Sequence, residues 1–527
     1  MKLASRWGYW LAGLLVVAIA AYLRLTGLGA FSLTLDETTL VEAAKGVLDR
    51  GVPSLYVGSM LVYLATYELV PYFIASAMWL FGESDFALRL PAAIFGTLTA
   101  AVIFHAGWRL FDWRIGLLAG LLYAMSPWAL HWSHNLFHPS QTQFFVLLTA
   151  LQVRRILQDD ATPTSTYYLA ALFFSCAYLS WEGSGFVLPI LLIVAFTMRW
   201  GDWHWLRNPH LWAASAIVTL VVVVQGVRRV LLQVDYLMVG SGKSDVSLPQ
   251  LVFTKTTYSP YYYLWNFLST EFHLVLTAVL VLAIGMMARN WNLRFFYLFT
   301  LLGIFFMTNF LGYYNAHYIY YLLPIFILTV SAGGVLLVDF LTRTCDESPL
   351  FFVRVARQLA LPLFAGLLLM FSTIPGLKFH GLGGEFQNPV RTDIRPELAG
   401  IDYRNLSSAL KRHYQPGDVV IALAPLALRH YADMDGDYFL QTITDRKIIY
   451  DPGQSVPQYY DKYVGNAVIR TQEEFYALLR QNRRVWIYAT PFGGFKEIIE
   501  PELLQFLQRR LTTVSETHDG KLYLWEQ

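Results

Sequence analysis

Apolar residues along this chain gather into repeated runs of 13 to 23 positions, the longer ones enough to cross a hydrocarbon core of about 30 Å as helices. The runs cover residues 7–25, 90–108, 115–130, 141–153, 167–181, 186–198, 211–227, 274–287, 295–311, 318–340 and 359–374, which predicts about eleven spanning helices. The first follows Lys2 and Arg6 and lacks a small-residue cleavage site, so it reads as a retained helix rather than a signal peptide. A further apolar stretch, 60–81, is interrupted by Tyr63, Thr66, Tyr67, Glu68 and Pro71. From about residue 378 the pattern changes. Short apolar strands at 418–424, 447–450, 485–489 and 521–525 alternate with helical patterns at 402–414, 472–481 and 501–510, which predicts a small α/β domain. The expected architecture is a polytopic helical membrane domain, residues 1–377, followed by a soluble α/β domain, residues 378–527. The tail has no GxGxxG at a strand end and no nucleophile elbow, so it reads as a scaffold or lid rather than a separate enzyme.

Composition strengthens the membrane reading. Apolar residues make up 56% of the 527 and charged residues only 14%, against about 25% in a soluble chain. The net charge of +2 is no sign of a nucleic-acid partner, because the basic residues stand at the ends of apolar runs. They report topology instead. If 60–81 crossed the bilayer, Arg109 with Arg114, Arg154 with Arg155, Arg199 with Arg207, Arg289 with Arg294 and Arg343 with Arg357 would all face outward, against the positive-inside rule. If it stays in the interface or re-enters, all of them face the cytoplasm. The outer loops are then 26–89, 131–140, 181–185, 228–273 and 312–317, with everything after Pro375. This places the chain as a multi-pass protein of a bacterial inner membrane with its tail on the periplasmic side. The two cysteines, Cys176 and Cys345, fit no metal spacing and read as free.

The strongest local signal is Leu35-Asp36-Glu37-Thr38 in the first outer loop, opening a helical stretch. Asp36 and Glu37 have a structural explanation, an N-cap and a dipole partner. They have a chemical one too, since they stand at the membrane edge where a lipid-borne substrate presents its headgroup.

The order Asp36-Glu37, then Phe81-Gly82-Glu83-Ser84-Asp85-Phe86-Ala87-Leu88-Arg89-Leu90-Pro91, then Ser126-Pro127 before a polar second loop, resembles the GT-C superfamily of membrane glycosyltransferases. Within it, the pattern is similar to the protein O-mannosyltransferase and lipid A aminoarabinose transferase branch, over about residues 1–330 in order. The resemblance implies transfer of a sugar from a polyprenyl-phosphate donor to a lipid, protein or polysaccharide acceptor on the outer face. It implies Asp36 as general base toward the acceptor hydroxyl, with Glu37 in support. Displacing a lipid phosphate from an anomeric carbon calls for such a base and for positive charge near the departing phosphate. In-line attack inverts the anomeric centre, whereas retention would require a carboxylate nucleophile.

Arg89 opens the next spanning helix, where the family also places an arginine; it either binds donor phosphate, braces the acidic pair or snorkels. The second outer loop, His131-Trp132-Ser133-His134-Asn135-Leu136-Phe137-His138-Pro139-Ser140, holds no carboxylate, so His134 or His138 stands in as a metal ligand or phosphate partner. A divalent metal is thus an open expectation. Glu182, in the short hairpin 181–185, is either a site residue or solvated. His317 and Tyr318 stand where relatives read Arg-Tyr, and are candidate donor contacts. Arg228 and Arg229, on the outer side against the charge rule, are candidates for phosphate contact, with Lys243 and the aromatic cluster 258–265 beyond them. Two rival classes remain: a glycolipid transporter or flippase, and a membrane-anchored binding scaffold. The acidic pair in an outer loop rather than at the midplane, and the lack of an inverted repeat, favour the enzyme.

Overall fold

Each expected apolar run falls on helix among the described residues, and the turns between helices are set by local capping chemistry. The computed structural model describes residues 2–232, 274–310, 316–343, 351–377, 402–443, 448–451, 458–489, 499–517 and 520–527. Helix α1 (Lys2–Leu25) is followed by α2 (Leu35–Arg50), a hairpin of β1 (Ser54–Val57) and β2 (Met60–Tyr63), and α3 (Val70–Phe81). Then come α4 (Asp85–Leu110), α5 (Trp113–Ala124), α6 (Pro127–Ser133), α7 (Pro139–Gln158), α8 (Thr164–Ser180), α9 (Val187–Met198) and α10 (Pro209–Leu232). Helices α11 (Leu274–Leu282), α12 (Trp291–Phe310), α13 (Leu323–Arg343) and α14 (Phe351–Leu377) complete the apolar part. The tail runs α15 (Tyr403–His413), β3 (Val419–Ala422), α16 (Pro425–Ala432), β4 (Tyr438–Leu440), β5 (Ile448–Asp451), β6 (Gln458–Asp461), β7 (Ala467–Ile469), α17 (Gln472–Gln481), β8 (Arg484–Ala489), α18 (Pro501–Arg510), β9 (Thr512–Thr517) and β10 (Gly520–Glu526).

Two compact units emerge, interleaved in sequence. The first holds α1, α4 from Leu90 onward and the apolar helices α5 to α14, with α10 up to Gly226; the second holds residues 28–89, the end of α10 and the α/β tail. The first outer loop therefore groups with the tail, where the linear division at 377/378 placed it with the helices.

In the first unit, five helices among the described residues are long and apolar enough to cross a membrane: Trp7–Leu25, Asp85–Leu110, Pro209–Arg228, Trp291–Phe310 and Tyr318–Arg343. Trp7, Leu11 and Leu14 on α1 stay more than half exposed, as a helix solvated by lipid should. The α4–α5 hairpin closes on two glycines, because a Cβ on Gly107 would stand 2.7 Å from Gly116 Cα. Asp112 caps α5 by accepting from the amides of Arg114 and Ile115, and Arg114 joins it to Asp339 on α13 at 2.7 Å each. The run expected as one helix over 115–130 is two. Ser126 accepts from Ala129 N as an N-cap and Pro127 presets the first turn of α6, so the chain breaks there. Cys176 is a half-buried free thiol.

The stretch 60–81 is not one helix. Strand β2 and a turn precede α3, whose 12 residues span about 18 Å at about 1.5 Å per residue, well short of a bilayer core. Its end leaves Trp79, Leu80 and Phe81 at 60% exposure or more, the face expected of an interfacial segment.

The second unit is built on a mixed sheet of order β5-β6-β7-β4-β3-β8-β10-β9. Strands β7, β4, β3 and β8 are parallel at its centre and the rest pair antiparallel. Alternation along β8 sends Val485 and Ile487 into one core layer with Phe475 and Leu503, and Trp486 and Tyr488 into the other with Tyr403 and Leu428. The seven expected tail elements are all present. Strands β4, β6 and β7, at three or four residues each, and the eight-residue α16 lie below the length at which periodicity registers.

Candidate functional site

The acidic pair opens α2, and the helix start divides it. Thr34 is extended (φ −77°, ψ 169°) and its hydroxyl accepts from the Glu37 amide at 3.3 Å, while the Glu37 carboxylate accepts from the Thr34 amide at 2.8 Å, a complete capping box. Glu37 is fully buried. Asp36, one residue earlier in the first turn, is exposed.

Arg89 explains the difference. Its Nε donates to Glu37 Oε1 at 2.8 Å and an Nη2 proton to Oε2 at 2.9 Å, a bidentate pair with both side chains buried. Its remaining protons go to the carbonyls of Leu28 (3.3 Å), Phe31 (2.8 Å) and Ser32 (3.0 Å). A guanidinium has five N–H donors, and these contacts use them all. Of the roles the sequence left to Arg89, the geometry selects the brace. As a donor-phosphate ligand it has no proton to spare, and the phosphate-binding expectation is corrected on that ground.

Arg228 is also engaged. Its Nη1 meets Glu68 Oε1 at 2.7 Å, so an arginine placed against the charge rule is held by a carboxylate of the first loop. The side chains of Arg229 and His317 lie outside the described residues, as do Lys243 and the aromatic cluster 258–265.

Within the first unit, three separately predicted regions meet on one ring. Trp181, buried at the end of α8, stacks on His138 (5.0 Å between centroids, 21°) and on Tyr318 (5.1 Å, 14°). Glu182 follows immediately, half-buried, as the first residue of a 3₁₀ turn over Glu182–Phe186. A Cβ on Gly183 would stand 2.2 Å from the indole, so only glycine lets the hairpin close over Trp181. The structure thus brings together His138 and Tyr318 through a tryptophan that the sequence offered only as a loop boundary, with Glu182 next to it in the chain. His138 Nδ1 lies 3.3 Å from the Thr142 hydroxyl.

The metal expectation falls on His134 and His138. His134 Nδ1 and Nε2 face the carbonyls of Leu130 (2.9 Å) and Thr26 (3.1 Å), and the neutral ring donates its one N–H to one of them. Among the described residues no group of three His, Cys, Asp or Glu side chains converges to hold an ion.

Arg24 was passed over as a flanking basic residue at the end of the first run. It is fully buried, donating to Ser133 Oγ (3.1 Å) and to the carbonyls of Ala20 (3.2 Å), Ala124 (2.9 Å) and Tyr123 (3.4 Å), with its guanidinium over the Tyr123 ring. A Cβ on Gly96 would stand 2.2 Å from Ser133 Oγ and 2.6 Å from Arg24 Nε, so that glycine makes room for the arginine. No sequence signal separates it from an ordinary helix-end cation.

Residues 68–226 match the family model described as dolichyl-phosphate-mannose-protein mannosyltransferase. By sequence, no curated protein matches the chain. By structure, the chain is similar to ArnT from Cupriavidus metallidurans bound to undecaprenyl phosphate, with a TM-score of 0.63 over 97% of both chains at 12% identity. This is the GT-C glycosyltransferase fold. The apo form of the same ArnT gives 0.61 at 13% identity over 99% of this chain and 98% of that one. An Archaeoglobus fulgidus oligosaccharyltransferase tethered to an acceptor peptide gives 0.51 at 11% identity, over 82% of this chain and 64% of its own. The family likeness is thus confined to residues 68–226, while the likeness of fold runs over nearly the whole chain.

Proposed function

We propose that this GT-C protein transfers a sugar from a polyprenyl-phosphate-linked donor to a hydroxyl of a lipid, protein or polysaccharide acceptor on the non-cytoplasmic face, with Asp36 as general base. The observation that carries this reading is the division of the acidic pair: Glu37 is consumed by Arg89 and the capping box, while Asp36 is exposed on the rigid first turn of the same helix. In the proposed step the acceptor oxygen attacks the anomeric carbon and gives its proton to the Asp36 carboxylate. The bond from that carbon to the phosphate oxygen breaks, and polyprenyl phosphate leaves with the bonding electrons. Attack opposite the leaving group inverts the anomeric centre. His138 and Tyr318, stacked on Trp181, are proposed sugar and donor contacts together with Glu182, and Arg229 and His317 keep the phosphate-contact role expected from the sequence.

The test is transfer by purified protein, with radiolabelled undecaprenyl-phosphate sugars as donors and membrane lipid, protein and polysaccharide fractions as acceptors. Label moving to an acceptor with release of undecaprenyl phosphate is expected. Movement of the labelled lipid across vesicles without transfer would sink the enzyme reading in favour of a transporter.

The proposed sidedness has its own check. Glu83 is exposed between α3 and α4. In a Cys176→Ser, Cys345→Ser background, Glu83→Cys is expected to react with an impermeant maleimide from the periplasmic side. Labelling from the cytoplasm alone would overturn the assignment of 60–81 as non-spanning.

A further inference from the structure

The α/β tail takes hold of the segment that leads into the acidic helix. Tyr431 on α16 is the junction: its hydroxyl accepts from the Leu33 amide at 2.7 Å and donates to Asp85 Oδ2 at 2.7 Å. Leu33 directly precedes the Thr34 cap of α2, and Asp85 is the first residue of α4. Asp85 also receives Arg404 Nη2 at 2.5 Å and faces His430 Nε2 at 3.5 Å, so three side chains of the tail close on one buried carboxylate. Arg404 adds its backbone amide to Ser32 Oγ at 3.1 Å and an Nη2 proton to Gly29 O at 3.1 Å.

Asp85 and Arg89 are four residues apart on α4 and so share one face. The tail holds the first, and the second holds Glu37. A continuous set of contacts therefore runs from α16 through Asp85, Arg89 and Glu37 to the turn that carries Asp36. Burial, with the neighbouring Asp85 carboxylate, raises the Tyr431 phenol well above its usual range, which keeps the hydroxyl an O–H donor.

A second grip lies on the β1–β2 hairpin. The Gly58 amide donates to Val464 O at 2.8 Å, and Gly465 (φ +83°) packs so closely that a Cβ there would stand 2.2 Å from Gly58 N. Asp461 shapes that turn by accepting from the amides of Tyr463 (2.7 Å), Val464 (2.8 Å) and Asn466 (2.6 Å).

We propose that the α/β tail positions the general base, with Tyr431 as the positioning residue that ties the lead-in of the acidic helix to Asp85. The proposal rests on the reading of Asp36 given above. Tyr431 touches neither substrate nor reacting atoms; it sets where Asp36 stands.

Tyr431→Phe keeps the ring and removes only the bridge. Hydrogen exchange at the amides of residues 29–37, Leu33 above all, is expected to quicken at least tenfold, with the core of the tail unchanged. In the undecaprenyl-phosphate sugar assay, kcat is expected to fall about tenfold with donor KM within about twofold, because a displaced base costs alignment rather than binding. In an Asp36→Asn background the same change is expected to cost nothing further, since both act through one group. Asp85→Asn should reproduce the exchange effect. Unchanged exchange in Tyr431→Phe would overturn the clamp, and faster exchange with full kcat, or an equal penalty without Asp36, would overturn the positioning role. Full activity of Asp36→Asn would instead bring down the functional reading and the catalytic half of this proposal, while exchange alone still decides the clamp.

Discussion

Asp36→Asn is expected to lower sugar transfer by about 10²- to 10⁴-fold, the usual range for removing a general base, or about 3–5 kcal/mol on the barrier. The substitution is nearly isosteric and leaves the start of α2 intact, because Thr34 and Glu37 form the capping box without Asp36. The residue is exposed, so stability should change by no more than about 0.5 kcal/mol. Turnover measured beside thermal unfolding in detergent separates the two effects. A variant as active as wild type would remove Asp36 from the mechanism, and equal loss of activity and melting temperature would make it a structural residue.

Arg89→Met should have the largest effect on stability. It leaves Glu37 fully buried with its only described cationic partner gone, a loss expected to cost about 3–5 kcal/mol, and it strips the carbonyls of Leu28, Phe31 and Ser32 of a donor. Accumulation in the membrane should fall with it. Arg89→Met combined with Glu37→Gln is expected to recover most of that loss, because the amide oxygen still accepts from Thr34 N and no isolated charge remains buried. The pair also separates a brace from a phosphate ligand: with a brace, donor KM in the rescued double variant stays within about threefold of wild type. A rise of a hundredfold or more in donor KM would return Arg89 to the donor phosphate. Failure of the second substitution to restore stability would show that the carbonyl contacts outweigh the ion pair.

Much of the architecture was legible before any coordinates. Sustained hydrophobicity marks buried or lipid-facing helix, so the apolar runs could be placed on helices, although only five of those described are long and apolar enough to cross a membrane. Pro71 and the polar interruptions of 60–81 marked a segment that folds as a strand and a short helix. In the tail, Val485 and Ile487 alternate with Trp486 and Tyr488 in a β-branched and aromatic run, which is strand chemistry in any context. Where the pattern failed, elements were too short or a local stop overrode hydrophobicity. Residues 115–130 stay apolar throughout, yet Ser126-Pro127 ends one helix and caps another. Hydropathy carries no record of that break.

The candidate site was legible as a set of residues and illegible as a division of labour. His134 and His138 look alike in one loop, but the His134 ring lies between two backbone carbonyls, while His138 joins a stack with residues 43 and 180 positions further on, Trp181 and Tyr318. Arg228 looked like a free cation until Glu68, 160 residues away, was seen to hold it.

The sequence by itself determined that this chain carries helices apolar enough for a membrane, and that an Asp-Glu pair opens a helix soon after the first of them. These follow from composition and spacing along the chain, which the solvent reads directly. Only the tertiary structure decided which acid is braced in the interior and which is exposed. Neighbouring residues on a helix point about 100° apart, so the roles of Asp36 and Glu37 depend on where Arg89, 52 residues beyond Glu37, is brought to lie.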